Sequence, residues 1–266
     1  MARLRVVVRG GGDLGSGVAL RLWRAGFEVI VLEAPQPVAV RRTVCLSEAV
    51  YDGNVQVEEA HAVLASSIES ALTIVTHRQV PVMVDPDAAS LPRLRPDALV
   101  DAIMTKQNLG TRLDMAQCVV CLGPGFEAGV DCDAVIETNR GPHLGRALWT
   151  GHAEANTGIP APVGGFGSDR VLRAPRDGTL IGLKSIGHLV DQGEVVARVD
   201  GEPVRSNFAG MVRGLARDGL TVRAGMKIGD IDPRLDPELC RLVSDKSLAV
   251  AGGVLEAVLM RSYARE

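Results

Sequence analysis

A glycine turn, Gly10-Gly11-Gly12-Asp13-Leu14-Gly15, follows the apolar run Val6-Val7-Val8, and Glu33 closes the next apolar run. No other feature restricts the possible folds of the chain as much. Gly10, Gly12 and Gly15 stand in the G-x-G-x-x-G spacing that lets a strand turn into a helix with its backbone open to a pyrophosphate. Asp13 would open that helix, whose N-terminal N–H groups and dipole favour an anion. The acid at the end of the second strand is placed to hold a ribose hydroxyl. The same glycines also serve a turn kept only for close helix–strand packing, so the pattern predicts a nucleotide site or a tight structural turn.

Downstream, strand-like and helix-like segments alternate. Strands are expected at 4–8, 28–32, 81–84, 98–104, 117–122 and 134–137, with helices at 15–24 and 59–77. Such alternation predicts an α/β domain, a Rossmann-like, doubly wound and mostly parallel sheet, over residues 1–168. The glycine-rich and polar segments each follow a strand. In an open α/β sheet they would gather at the carboxyl ends of the strands, where ligands bind.

A different pattern begins near Val171. Residues 174–199 and 206–231 repeat without gaps at an offset of 32: Gly178 matches Gly210, Leu183 matches Leu215, and Gly193 matches Gly225. Neither half can bury a core alone, so the halves are expected to interlock. The spacing is similar to that of barrel-sandwich (biotinyl/lipoyl-like) modules, and a small all-β domain is expected over 169–233. The turn between the halves, Asp200-Gly201-Glu202-Pro203, has no lysine, so no covalent biotin or lipoate is expected. Residues 234–266 are read as a helical segment, interrupted by Gly252-Gly253; a close packing contact or a break between two helices would explain the pair.

Composition narrows the function classes. A net charge of −3 gives no basic surface for nucleic acid. No apolar run is long enough for a membrane span, and the run after Arg3 and Arg5 is too short for an export signal. Five cysteines without such a signal point to reduced thiols and a cytoplasmic protein.

Several clusters are candidates for chemistry. Lys106, Asn108 and Thr111 lie on a glycine-containing turn suited to an anion, or to a plain turn in which Thr111 caps a helix. Gly123 and Gly125 would allow close approach of a ligand, with Phe126 stacking on a base or returning to the core. The run Glu137–Arg146 carries Arg140, His143 and Arg146, which suit phosphate recognition or acid–base work, or a solvated loop. Asn156-Thr157-Gly158 would join the same edge. Arg41 and Arg42 would reach a phosphate near Glu33. Cys118 and Cys121 fall in one apolar strand on opposite faces, which suits core thiols better than a metal knuckle; Cys45 is the better candidate for an activated thiol.

Taken together, Arg9–Gly17, Arg41-Arg42-Thr43, Ala49–Gly53, Asp101–Thr111, Gly123–Phe126, Ile136–Arg146 and Gly252–Ala257 resemble the selenium-dependent molybdenum hydroxylase system proteins, a YqeB-like family. The N-terminal half also resembles the nucleotide-binding part of XdhC-like accessory proteins. The resemblance implies an accessory or maturation role with a molybdenum hydroxylase client, and binding of a nucleotide or the dinucleotide form of the molybdenum cofactor. It supplies no catalytic residue. Two other readings stay open: an NAD(P)-dependent oxidoreductase using the same turn, and a non-catalytic scaffold.

Overall fold

The computed structural model describes residues 3–155 and 165–263. The chain forms two compact units. The first comprises Met1–Pro37, Leu46–Asn156 and Val243–Glu266, the second Val38–Cys45 and Thr157–Leu242.

In the first unit the elements run β1 (Arg5–Arg9), α1 (Asp13–Arg24), β2 (Glu28–Glu33), the helical turn α2 (Ala49–Asp52), β3 (Asn54–Val57), β4 (Ala60–Leu64), α3 (Ile68–Thr76), β5 (Val80–Val84), the turn α4 (Leu91–Leu94), β6 (Ala98–Asp101), β7 (Cys118–Leu122), β8 (Ala134–Ile136) and β9 (Ala147–Leu148). They build one nine-stranded sheet in the order β3-β4-β5-β2-β1-β6-β7-β8-β9. The strands from β4 to β8 run parallel, whereas β3 and β9 pair antiparallel at the two edges. Central strands are apolar because both faces are covered: Val6, Val7 and Val8 of β1 are fully buried, as are Leu99 and Val100 of β6.

In the second unit the strands are β10 (Val171–Arg173), β11 (Gly178–Gly182), β12 (Leu189–Val190), β13 (Val195–Val199), β14 (Glu202–Arg205), β15 (Gly210–Leu215), β16 (Thr221–Val222) and β17 (Lys227–Asp232). They form two four-stranded sheets, β10-β17-β15-β12 and β14-β13-β11-β16, antiparallel throughout. The halves of the repeat exchange strands: β11 pairs with β16 of the other half, and β15 with β12. A helix, α5 (Asp245–Tyr263), closes the described chain and belongs to the first unit.

This topology corrects the expected fold class. The molecule is not a Rossmann-like sheet followed by a small barrel-sandwich domain and a terminal helix. Its large sheet is mixed, with antiparallel strands at both edges, and its β-rich part consists of two antiparallel sheets in a unit that also takes in residues 38–45. The doubly wound pattern fails because several crossovers lack a helix. Between β6 and β7 there is only a short 3₁₀ turn, Leu113–Met115, and β7 reaches β8 through a loop.

The expected helix over 59–77 is also corrected. Residues Ala60–Leu64 form strand β4, with Ala60 and Ala62 buried and their neighbours less so. The helix starts only after Ser67, whose hydroxyl accepts the Ser70 N–H at 3.1 Å. Val63 and Leu64, which fit a helical face, belong to an alternating strand.

The second unit carries a buried charge cluster at the end of β17. The Asp232 carboxylate accepts from Arg234 Nη2 at 2.7 Å and Nε at 2.9 Å, with Arg213 nearby. Burial alone would raise the Asp232 pKa, but the Arg234 bonds and the Arg213 charge outweigh it and hold it below the usual value. A carboxylate depressed in the folded state stabilises it above the unfolded pKa and loses that contribution as pH falls through the folded one. Asp232→Asn should therefore flatten the pH dependence of thermal stability below about pH 4. An unchanged acid limb in thermal melts would show that Asp232 does not set it.

Candidate functional site

The order of the large sheet reverses at β1: β2 lies on one side, the chain runs out to the edge strand β3 and back through β4 to β5, and it then crosses to β6 on the other side of β1. Ligands of open α/β sheets bind at the carboxyl ends of the strands at such a reversal. The glycine turn sits there. Gly10 adopts a φ of +94°, and a Cβ on it would lie 3.0 Å from the Ala102 carbonyl carbon and oxygen. A Cβ on Gly15 would overlap the Gly10 carbonyl oxygen and lie 3.2 Å from Ala102 Cβ. Both glycines are required by the fold.

Gly12 is different. Its φ of −72° and ψ of −168° suit any residue, and a Cβ on it would meet nothing within 4 Å. It is the N-cap residue of α1 and has no side chain with which to cap the first turn. Asp13 follows, its Oδ1 accepting the Ser247 hydroxyl at 2.9 Å. The Glu33 carboxylate is fixed by two backbone donors, Gly11 N–H and Ala34 N–H, each at 2.7 Å.

Directly beneath the turn lies a buried network that sequence reasoning missed. Arg9, 4% exposed, and Asp101, 1% exposed, end the adjacent strands β1 and β6. The Thr111 hydroxyl donates to Asp101 Oδ2 at 2.6 Å and accepts from Arg9 Nη1 at 2.8 Å, while Arg9 Nη2 donates to the Pro86 carbonyl at 3.0 Å. The network joins the loops that follow β1, β5 and β6. Arg9 directly precedes the glycines and looked like a strand boundary, whereas Asp101 fell inside the strand expected over 98–104.

The expected anion cradle is built differently from the sequence reading. Thr111 is buried and belongs to this network, and no helix begins on it. The Asn108 amide is fully used: it donates to Thr111 O and Asp131 Oδ1 and accepts from the Gly110 and Thr111 N–H groups. Lys106 is exposed. Gly125 supports this loop, since a Cβ on it would lie 2.6 Å from Gln107 N. A Cβ on Gly123 would press on the Thr138 hydroxyl at 2.6 Å. Phe126 is buried in the core and does not present its ring for stacking.

The polar run after β8 meets the start of α5. Arg140 holds Asp245 through two bonds of 2.8 and 3.0 Å. Glu137 is buried, its oxygens accepting the Asn139 and Glu154 N–H groups at 2.6 and 2.7 Å. His143 and Arg146 are exposed, and Arg146 Nε donates to the Pro142 carbonyl at 3.2 Å. The Gly252-Gly253 pair lies inside a continuous α5. A Cβ on Gly253 would overlap the Gly145 carbonyl oxygen and lie 3.1 Å from Ile136 Cγ2, so it is a packing glycine.

Some expected residues are not brought to this edge. Arg42 belongs to the second unit, where its Nε donates to the Leu215 carbonyl at 2.7 Å. Arg41 of the same unit donates to the Leu239 and Leu242 carbonyls, and Cys45 is buried there. Cys118 and Cys121 are buried in β7; the Cys121 thiol, hydrogen-bonded with Cys132 and desolvated, is held far above the usual thiol range. Asn156-Thr157-Gly158 lies outside the described residues. Ser247, in the first turn of α5 and bonded to Asp13, was also missed. Ser244, whose hydroxyl accepts the Ser247 N–H at 3.1 Å, is the helix-start signal that would have placed it.

No protein-family model matches the chain. It is 50% identical over 255 residues to the uncharacterized protein YqeB of Escherichia coli (strain K12), covering 96% of this chain and 47% of that protein. This likeness supports a YqeB-like family. The chain spans about half the length of that relative. Among solved structures it is similar to an aspartoacylase family protein from Mesorhizobium loti, at 13% identity over 86% of this chain and 85% of that chain, with a TM-score of 0.28. It is likewise similar to the ectoine utilization protein of Ruegeria pomeroyi in a product-bound structure, at 13% identity over 86% and 85% of the two chains, with a TM-score of 0.26. TM-scores this low transfer neither fold nor chemistry. Among the described residues no helix is long and apolar enough to cross a membrane.

Proposed function

We propose that the chain binds a nucleotide or the dinucleotide form of the molybdenum cofactor at the reversal point of its large sheet, as a cytoplasmic accessory protein in the maturation of a molybdenum hydroxylase client. The observation that carries the binding reading is Gly12. The fold needs Gly10 and Gly15 for internal contacts, whereas nothing in the fold needs a glycine at position 12. Its missing side chain leaves the N-terminus of α1 open to an incoming diphosphate. The fixed Glu33 carboxylate is an acceptor suited to ribose hydroxyls and disfavours a 2′-phosphate. The resemblance to selenium-dependent molybdenum hydroxylase system proteins supports the choice of cofactor and client.

A thermal-shift panel of molybdopterin dinucleotides, NAD, NADP, CTP and AMP tests the proposal. The molybdopterin dinucleotide is expected to stabilise the chain by about 2.7 kcal/mol at 100 times its Kd, and Glu33→Ala to remove the shift. A shift with NAD alone would make the chain a nicotinamide-binding protein. No shift with any ligand would overturn the proposal.

A further inference from the structure

The segment Val38–Cys45 leaves the first unit between β2 and α2, is held in the second, and returns. The residues on either side of this excursion fasten the middle of the glycine turn. Before it, Glu33 accepts the Gly11 N–H at 2.7 Å, and the Pro37 carbonyl accepts the Tyr51 hydroxyl at 2.9 Å. After it, the Leu46 N–H donates to Ser16 Oγ at 2.8 Å and the Ser47 N–H to the Gly11 carbonyl at 3.0 Å. Ser16 Oγ donates to the same carbonyl at 2.8 Å. Gly11 is thus held through its N–H from one end of the excursion and through its carbonyl from the other. Little space separates them, since a Cβ on Gly11 would lie 3.0 Å from both Ser47 N and Val31 Cγ1.

Inside the second unit the same segment is fixed along its length. Arg41 donates to the Leu239 and Leu242 carbonyls, Arg42 Nε to the Leu215 carbonyl, and the Thr43 hydroxyl to the Cys240 carbonyl. Val40 lies against β15, where a Cβ on Gly214 would come within 2.9 Å of the Val40 carbonyl oxygen and Cγ1. Gly214 leaves room for the segment's backbone, and a larger residue there must displace it. Leu46 follows Cys45 directly, and a trans peptide holds successive Cα atoms about 3.8 Å apart, so no free length of chain absorbs such a displacement.

We infer that Val38–Cys45 is a strap that couples the second unit to the glycine turn, so that ligand occupancy at the turn and the packing of the strap on β15 regulate each other. The inference rests on the proposed nucleotide reading for the ligand and adds the regulation of that site. Such coupling is reciprocal, and typical values change affinity by about 5- to 150-fold.

Gly214→Ala in the full chain tests it, with Gly210→Ala as the control. A Cβ on Gly210 crowds the second unit comparably, 2.7 Å from Ile231 Cγ2 and 2.8 Å from the Asp232 carbonyl oxygen, rather than at Val40. In the absence of ligand, amide exchange at Leu46 and Ser47 read by NMR should accelerate by about fivefold or more in Gly214→Ala and stay at the wild-type rate in Gly210→Ala. Thr43→Val, which removes only the bond to Cys240, should act in the same direction and is the variant to read if Gly214→Ala does not fold. The molybdopterin dinucleotide should bind Gly214→Ala about fivefold or more weakly than the wild-type chain and Gly210→Ala unchanged. Equal exchange at Leu46 and Ser47 in the wild type and both strap variants, or equal acceleration in Gly210→Ala, overturns the inference. If the dinucleotide binds the wild type and the strap variants alike, the strap does not regulate the site and the proposed function survives. If exchange responds as expected while no nucleotide shifts stability, the strap stands as a coupling between the second unit and the turn and the nucleotide reading falls.

Discussion

Gly15→Ala is expected to destabilise the first unit by about 3 kcal/mol or more, whereas Gly12→Ala should cost no more than about 1 kcal/mol. The two residues lie in one turn and differ in what surrounds them. A methyl group on Gly15 would overlap the Gly10 carbonyl oxygen and lie 3.0 Å from its carbonyl carbon. Neither atom belongs to a flexible side chain, so the turn or the start of α1 must shift. A methyl group on Gly12 enters open space at an ordinary φ, and the small cost expected is that of alanine at an N-cap. Gly12→Ala should nevertheless weaken dinucleotide binding by about tenfold or more, because the methyl fills the approach to the helix N-terminus. Urea unfolding and ligand titration of both variants check this. A purely structural turn predicts the reverse for Gly12, namely lost stability and no ligand to lose.

The second large effect is expected at the base of the same turn. Asp101→Ala should destabilise the first unit by about 3–5 kcal/mol, since it leaves the Arg9 guanidinium buried without its carboxylate. Among the described residues Arg9 would keep the Pro86 carbonyl and the Thr111 hydroxyl as acceptors. The direct Arg9–Asp101 separation is 3.5 Å, and Thr111 bridges the pair with shorter bonds to both. A large share of the loss thus comes from stranding a charge rather than from breaking one strong ion pair. The double variant Arg9→Met, Asp101→Leu should recover most of the stability lost in Asp101→Ala, because an apolar replacement of both partners removes the buried charge altogether. Chemical denaturation of the single and double variants decides the point. An Asp101→Ala loss below about 1 kcal/mol would show that water reaches the network.

How far the molecule was legible from its sequence depended on the range of the interactions involved. The strands Arg5–Arg9, Glu28–Glu33, Val80–Val84 and Cys118–Leu122 were legible because a strand buried on both faces must be a continuous apolar run. The exchange of strands between the halves of the repeat was legible because neither half can bury a core alone. Strand β4 was misread because the five residues from Ala60 to Leu64 fit either a helical face or an alternating strand. Pairing with β3 and β5 decided between them.

The same division runs through the candidate site. Local sequence determined the glycine turn, the helix after it and the acid at the end of β2, since backbone sterics and apolar patterning act over a few residues. Tertiary structure alone decided the mixed sheet, the place of α5 in the first unit and that of residues 38–45 in the second. It turned Thr111 into a buried support and Asn108 into a loop brace, took Arg42 to another unit, and brought Ser247 to Asp13 at the glycine turn. Hydrogen bonds and charges between residues such as Asp13 and Ser247 join segments more than 200 positions apart. No local pattern encodes such pairings, because they exist only once the sheet has ordered the strands and the helices have packed on it.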